Sequence, residues 1–267
     1  MRVEAITVCC GYGDFLGETL AANRALVDDF LVVTSPDDSA TREVCRRHSV
    51  RCVFSDEHRR GGPFNKARLI QRGLNQIGSH DWILHIDADV VLPRRFRDLL
   101  DWAHLDERCI YGADRCNVVG WEAWRKIKAD KGGWDNHSYE SGLRFADSAP
   151  VGTRWVSKLH GYVPIGFFQL WHGSAMIDRG IHVRHYPYHH GDAARTDVQF
   201  ALQWDRRHRV LLPEVVVLHL ESEPAKLGAN WCGRTTRPFG PGGKSEIRNP
   251  KSETGTAGFA GNGRSYH

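Results

Sequence analysis

Asp87 and Asp89 stand two residues apart at the end of an apolar run, Trp82-Ile83-Leu84-His85-Ile86-Asp87-Ala88-Asp89-Val90-Val91-Leu92-Pro93. Side chains of a strand alternate with period two, so this spacing directs both carboxylates to one side. Two like charges at the mouth of a buried strand repel each other and resist desolvation. A divalent cation shared with an anionic ligand relieves both problems, and hard oxygen ligands suit magnesium or manganese. Buried paired carboxylates are rarely left without a cation. The pattern reads as a metal and phosphate site.

The elements that must position these acids alternate along the first third of the chain. Val3–Cys10, Phe30–Thr34 and Val50–Ser55 read as strands, and Phe15–Ala25 and Thr41–His48 as helices. Gly61-Gly62-Pro63 breaks the chain before a helix over Asn65–Ile77, and the strand Trp82–Val91 follows. Strands separated by helices of this length imply βαβ units, a parallel sheet and an α/β fold. Ligands of such sheets bind beyond the carboxyl ends of the strands, where the Gly11, Pro36 and Asp87 loops fall. From about Cys116 the alternation weakens, and Trp121, Trp124, Trp134, Trp155 and Trp171 mark a second half expected to shape a substrate cleft. Strand character returns over Arg206–Leu220. From Pro238 the chain is rich in Gly, Ser, Asn and charge, and is expected to be a flexible tail. No repeat of 20–50 residues occurs.

Composition narrows the classes. A chain of 267 residues, 41 % hydrophobic and 25 % charged, fits one large soluble α/β domain. A net charge of +4 permits an anionic substrate without demanding nucleic acid. Seven Cys without Cys-x-x-Cys spacing fit reduced, buried thiols in a cytoplasmic protein. Glu4 and Thr7 interrupt the first strand, which is no signal peptide, and no segment approaches the ~20 apolar residues of a membrane span.

The order of signals carries more than any single one. The first strand is followed by Asp37-Asp38 after the second, then Phe64-Asn65-Lys66-Ala67-Arg68 at a helix start and the Asp-x-Asp strand. Thr196-Asp197 then opens an amphipathic helix, and a late strand ends in His219. Over about residues 3–234 this arrangement resembles the GT-A-fold glycosyltransferases of the broad family-2-like group. The resemblance implies a mostly parallel central sheet flanked by helices, with a nucleotide-sugar-binding half over 1–115 and an acceptor-binding and catalytic half over 116–222. Residues 223–237 form a candidate lid segment, and the flexible tail over 238–267 lies outside the resemblance. It also implies metal-dependent (Mn2+ or Mg2+), inverting transfer from a UDP-sugar to a hydroxyl acceptor, whether glycan, lipid-linked saccharide, protein or modified DNA base.

The same resemblance distributes roles. Thr7, Cys9 and Tyr12 line the nucleoside pocket, and Asp37 accepts from uracil or ribose, with Asp38 the alternative where one of the two caps the next helix. Asp87 and Ala88 face the donor, and Asp89 and His219 hold the metal, with His189 and His190 as rivals for the imidazole. Lys66 meets the diphosphate, since a cation in a helix's first turn opposes the dipole and an anion reverses that cost. Asp197 is the general base, although relatives often carry an acid where this chain has Thr196, and Asp192 is the reserve. Gln169 and Trp171 contact the acceptor. Trp231 and Arg234, with Lys226, belong to the lid over the diphosphate. A nucleotidyltransferase and an inactive nucleotide-sugar or nucleic-acid binding module are the other readings. The first lacks a Gly-rich phosphate loop after the first strand, since Gly11-Tyr12-Gly13 is too sparse.

Overall fold

The computed structural model describes residues 1–61, 64–77, 81–129, 134, 155–178, 182–187, 193, 195–223, 234 and 236–241. Among these, eight strands form one sheet: β1 (Val3–Val8), β2 (Asp29–Thr34), β3 (Arg51–Phe54), β4 (Trp82–Ile86), β5 (Val90–Val91), β6 (Ile110–Val119), β9 (Phe168–His172) and β12 (Arg209–Glu221). Short two-stranded pairs join β7 (Trp155–Ser157) to β8 (Gly161–Val163) and β10 (Ile177–Asp178) to β11 (His182–Val183). The sheet order is β3-β2-β1-β4-β9-β6-β12-β5. Pairing is parallel from β3 through β4 and between β6 and β12, and antiparallel where β9 meets β4 and β6 and where β5 meets β12. This is the expected α/β class, a mostly parallel central sheet flanked by helices.

The central strands are apolar on both faces, as strands covered by helices must be. Val3 and Ala5 of β1 join one cluster with Leu16 and Leu20 of α1 (Gly13–Asn23), Val44 of α2 (Ser39–Arg47) and Phe96 of α4 (Phe96–Trp102). Ile6 and Val8 join the opposite cluster with Leu69 and Ile70 of α3 (Lys66–Leu74) and Phe200 of α6 (Thr196–Ala201). Helix α5 (Trp121–Ala129) packs Trp124 and Ile127 into a third cluster. Local chemistry sets the helix starts. Asp38 caps α2 by accepting from Thr41 N at 3.0 Å, and Asn65 caps α3 by accepting from Arg68 N at 3.2 Å.

Expected boundaries recur within a few residues, with one informative exception. The strand expected over Trp82–Val91 is broken. β4 stops at Ile86, Asp87–Asp89 turn with Val90 N donating to Asp87 O (3.2 Å), and β5 leaves to pair with β12 at the far edge. The two acids therefore sit on a turn, not on one face of a strand. The departure has a use: it sets Val90 opposite His219, and Leu220 N donates to Asp89 O at 2.8 Å. A register shift between Leu212 and Val216 of β12 surrounds Pro213, which has no N–H for the ladder.

Two polar side chains one turn apart on the buried face of α1 hold this turn. Thr19 Oγ1 donates to Ala88 O (2.7 Å), and Asn23 donates to Val90 O (2.8 Å) while accepting from Leu92 N (2.9 Å). Asn23→Leu strands two buried backbone groups. It is expected to cost about 2–4 kcal/mol, read as a lower urea midpoint at unchanged slope. An unchanged midpoint contradicts this anchoring.

Candidate active site

The parallel topology brings the ends of β1, β2, β4, β6 and β12, and the beginning of β9, to one edge of the sheet. Seven side chains from five segments meet there. Lys66, at the start of α3, donates to Asp87 Oδ1. Asp89 Oδ1 lies 3.6 Å from His219 Nε2, and His219 Nδ1 lies 3.4 Å from Glu221 Oε1. Asp197, in the first turn of α6, accepts from Gly166 N–H and is within the electrostatic reach of Lys66. Arg115 of β6 is buried beside Asp89, Glu221 and Asp87, with its guanidinium 4.8 Å from the centre of the Phe167 ring. Glu221 and Arg115 were not singled out from the sequence. A Glu two residues beyond His219, on the same side of a strand, was the available signal for the first.

Burial and charge act against each other here. Burial lowers the affinity of Lys66 for its proton, but Asp87, Asp197 and Asp89 outweigh it and leave the ammonium above its ordinary pKa. Burial raises Asp87, but the contact with the Lys66 ammonium outweighs it, so this carboxyl titrates below its usual range. Asp89 goes the other way: burial, reinforced by Asp87, lifts it above the usual range against the influence of His219. Burial likewise raises Asp197, with Lys66 opposing. His85, fully enclosed behind Asp87, is pushed by burial and by Lys66 down to about 3 and is neutral.

Among the described residues Asp87, Asp89, Asp197 and Glu221 face two cations, Lys66 and Arg115, which leaves these four acids two positive charges short when ionised. Asp89 Oδ1, His219 Nδ1 and Glu221 Oε1 are buried without hydrogen-bond partners. Among the described residues no three His, Cys, Asp or Glu side chains are grouped to hold a metal by themselves. The Asp89–His219 pair fits two positions of such a shell. Adjacent ligands of an octahedral ion bound at about 2.1 Å lie about 3 Å apart, close to the 3.6 Å seen.

Several other expected site residues are buried. Thr7 and Cys9 share the α1–α2 face of β1 and are enclosed. Thr7 is 0 % exposed, and the Cys9 thiol, 3.2 Å from Thr41 Oγ1, is driven upward in pKa by burial. Neither is open to a nucleoside. Cys10, half-buried, packs against the cluster on the opposite face. Gln169 and Trp171 are likewise 0 % exposed, because β9 lies between β4 and β6 with both faces covered. Trp171 packs against Phe200, centroids 5.1 Å apart. Asp38 takes the helix cap and also accepts from Gly11 N (2.7 Å), while Asp37 is exposed and pairs with Arg59 at 2.7 Å. Ala88 is buried and offers its carbonyl to Thr19.

Arg234 has no donor left for a diphosphate. Its five N–H groups go to Thr236 O (3.1 Å), Gly11 O (3.0 Å), Asp14 Oδ1 (2.6 Å), Asp14 Oδ2 (2.7 Å) and Arg237 O (2.6 Å). The guanidinium also covers Tyr12, 4.9 Å from its ring centre, which leaves Tyr12 half-buried beside the cluster. Phe239, expected in the flexible tail, is buried, stacks on Phe15 at 4.5 Å and meets Trp121 edge-on. Trp231, Lys226, Asp192, His189 and His190 lie outside the described residues.

No family model and no curated protein matches the chain. Among solved structures it is similar to glucosyl-3-phosphoglycerate synthase from Mycobacterium tuberculosis in complex with Mn2+, uridine-diphosphate and glucosyl-3-phosphoglycerate, with 14 % identity over 82 % of this chain and 71 % of that one, TM-score 0.46. It is also similar to mannosyl-3-phosphoglycerate synthase from Rubrobacter xylanophilus, with 22 % identity over 43 % and 41 % of the two chains, TM-score 0.33. The chain thus spans about two fifths of the length of this second structure. At these scores the likenesses assign no activity. Among the described residues no helix is long and apolar enough to cross a membrane.

The Arg234 knot is testable as a structural element. Arg234→Lys keeps the charge but loses the fork that grips both Asp14 oxygens, and is expected to lower stability by about 1–2 kcal/mol. A variant with weaker UDP binding and an unchanged unfolding midpoint returns Arg234 to the donor site.

Proposed function

We propose that the chain is a metal-dependent, inverting glycosyltransferase of the GT-A type that moves a sugar from a UDP-sugar to a hydroxyl acceptor. The observation that carries the reading is the meeting of Asp87, Asp89, Lys66 and His219 with Asp197 at the carboxyl edge of the sheet, in a cluster short of two positive charges. Asp89 and His219 would hold Mn2+ or Mg2+, and diphosphate oxygens and water would complete the shell that protein groups alone leave open. The metal would supply charge stabilisation for the departing diphosphate.

The chain's own residues do the rest. Lys66, freed from Asp87 by a competing anion, donates to the diphosphate at the start of α3, where backbone N–H groups also point outward. Asp37, exposed beyond β2, and Tyr12, beside the cluster, would serve the nucleoside. Asp197 takes the proton of the acceptor hydroxyl. The oxygen bonds to the anomeric carbon from the face opposite the diphosphate, the bond from that carbon to the diphosphate oxygen breaks, and UDP leaves with the electron pair. The configuration inverts. Burial suits Asp197 to this work, since a carboxylate with a raised pKa is a stronger base than one in water.

Release of UDP from UDP-glucose, with water as a slow acceptor, tests the reading without knowledge of the natural acceptor. Manganese is expected to support release and EDTA to abolish it. Asp197→Asn should lower turnover by roughly 10²–10⁴-fold with UDP binding nearly unchanged. The acid limb of the wild-type pH profile should lie above the ordinary Asp range near ~4, because only ionised Asp197 accepts a proton and burial raises its pKa. Full turnover in chelator, or in Asp197→Asn, refutes the corresponding assignment.

A further inference from the structure

Asp197 opens a helix of only six residues, and Arg195, at its N-cap, has φ +68° and makes no capping bond through its side chain. A helix this short has little stability of its own, and a non-glycine residue in the left-handed region adds strain. The carboxylate is nonetheless held tightly. Gly166 N–H donates to Asp197 Oδ2, and a Cβ on Gly166 would lie 2.9 Å from both the Cβ and Oδ2 of Asp197. The 164–167 loop and α6 are thus fitted to each other with no room for a side chain between them.

One buried amide joins the two segments. Gln169 Nε2 donates to Pro164 O at 3.0 Å on the loop and to Asp197 O at 3.0 Å on the helix. Its Oε1 accepts from the Tyr186 hydroxyl, which lies 3.2 Å from His85 Nδ1. Gln169 and His85 face each other in register on β9 and β4. Both amide hydrogens and the amide oxygen are therefore used. A flipped amide, or a carboxylate, would set an oxygen against two carbonyl oxygens. Only glutamine in this orientation satisfies all three partners.

We propose that Gln169 and Gly166 are positioning residues for Asp197: Gln169 clamps the loop to the helix, and Gly166 fixes the carboxylate through its amide. The inference rests on the reading of Asp197 as the base. Gln169 touches no substrate and acts only through the placement of that carboxylate. A displacement of the base by a fraction of an ångström is sufficient to slow proton transfer, since reacting groups must meet within hydrogen-bond reach.

The test is a double-mutant cycle on UDP release with manganese, with UDP–Mn2+ affinity measured alongside. Gly166→Ala displaces the carboxylate without touching the buried network, so it remains informative if Gln169→Glu fails to fold. Each variant is expected to lose about 10–100-fold in kcat with UDP–Mn2+ affinity within twofold of wild type. On an Asp197→Asn background Gly166→Ala should add no further loss, because its effect runs through the group already removed. Unchanged kcat in Gly166→Ala, or an equal loss on both backgrounds, overturns the positioning role while leaving Asp197→Asn alone to judge the base. Full activity of Asp197→Asn removes the base reading and this inference with it.

Discussion

Negative charge that is hard to desolvate is the constraint around which this molecule is arranged. Asp87, Asp89, Glu221 and Asp197 are brought to one edge of the sheet, and among the described residues Lys66 and Arg115 are the cations that answer them. Each carboxylate in a medium of low dielectric needs a partner, and the available cations are too few. The opposite shifts of Asp87 and Asp89 express this. Asp87 has Lys66 in contact and ionises readily, whereas Asp89 faces an imidazole and is held toward protonation. A dication at Asp89 and His219 would remove the conflict.

The fold supplies this arrangement through departures from a regular sheet. β5 leaves β4 and crosses to the far edge to pair with β12, which places Asp89 against His219. Thr19 and Asn23 of α1 secure the crossing from one side, and the β12 ladder from the other. The Arg234–Asp14 pair and the Phe239–Phe15 stack draw Arg234 and Phe239 onto the start of the same helix. Helix α1 therefore joins the Asp87–Asp89 turn to the loop that carries Tyr12.

Much of this was readable in the sequence, for a physical reason. In a parallel sheet every strand end falls at one edge, so residues after β1, β2 and β4 and near the end of β12 need no long-range knowledge to be grouped. The failures share a different cause. Thr7 and Cys9 were placed at the site from a strand that is apolar on both faces, and such a strand gives no alternation from which to choose the open side. Gln169 and Trp171 sit in an aromatic run that suits a cleft wall as well as a core. That β9 is inserted antiparallel between β4 and β6, and thus covered twice, depends on pairings far apart in sequence. Arg234 looked available because Asp14, its partner, lies 220 residues away. Phe239 was lost in the polar composition around it.

The central claim is that protein and nucleotide together complete a metal site that the protein leaves half-built. Calorimetric titration of the chain with UDP, in manganese and in chelator, tests it most directly. The account predicts that manganese tightens UDP binding by about tenfold or more, and by linkage that UDP tightens manganese binding by the same factor. It also predicts that Asp89→Asn removes the coupling while UDP still binds weakly. Equal UDP affinity with and without metal in the wild-type chain would contradict the account.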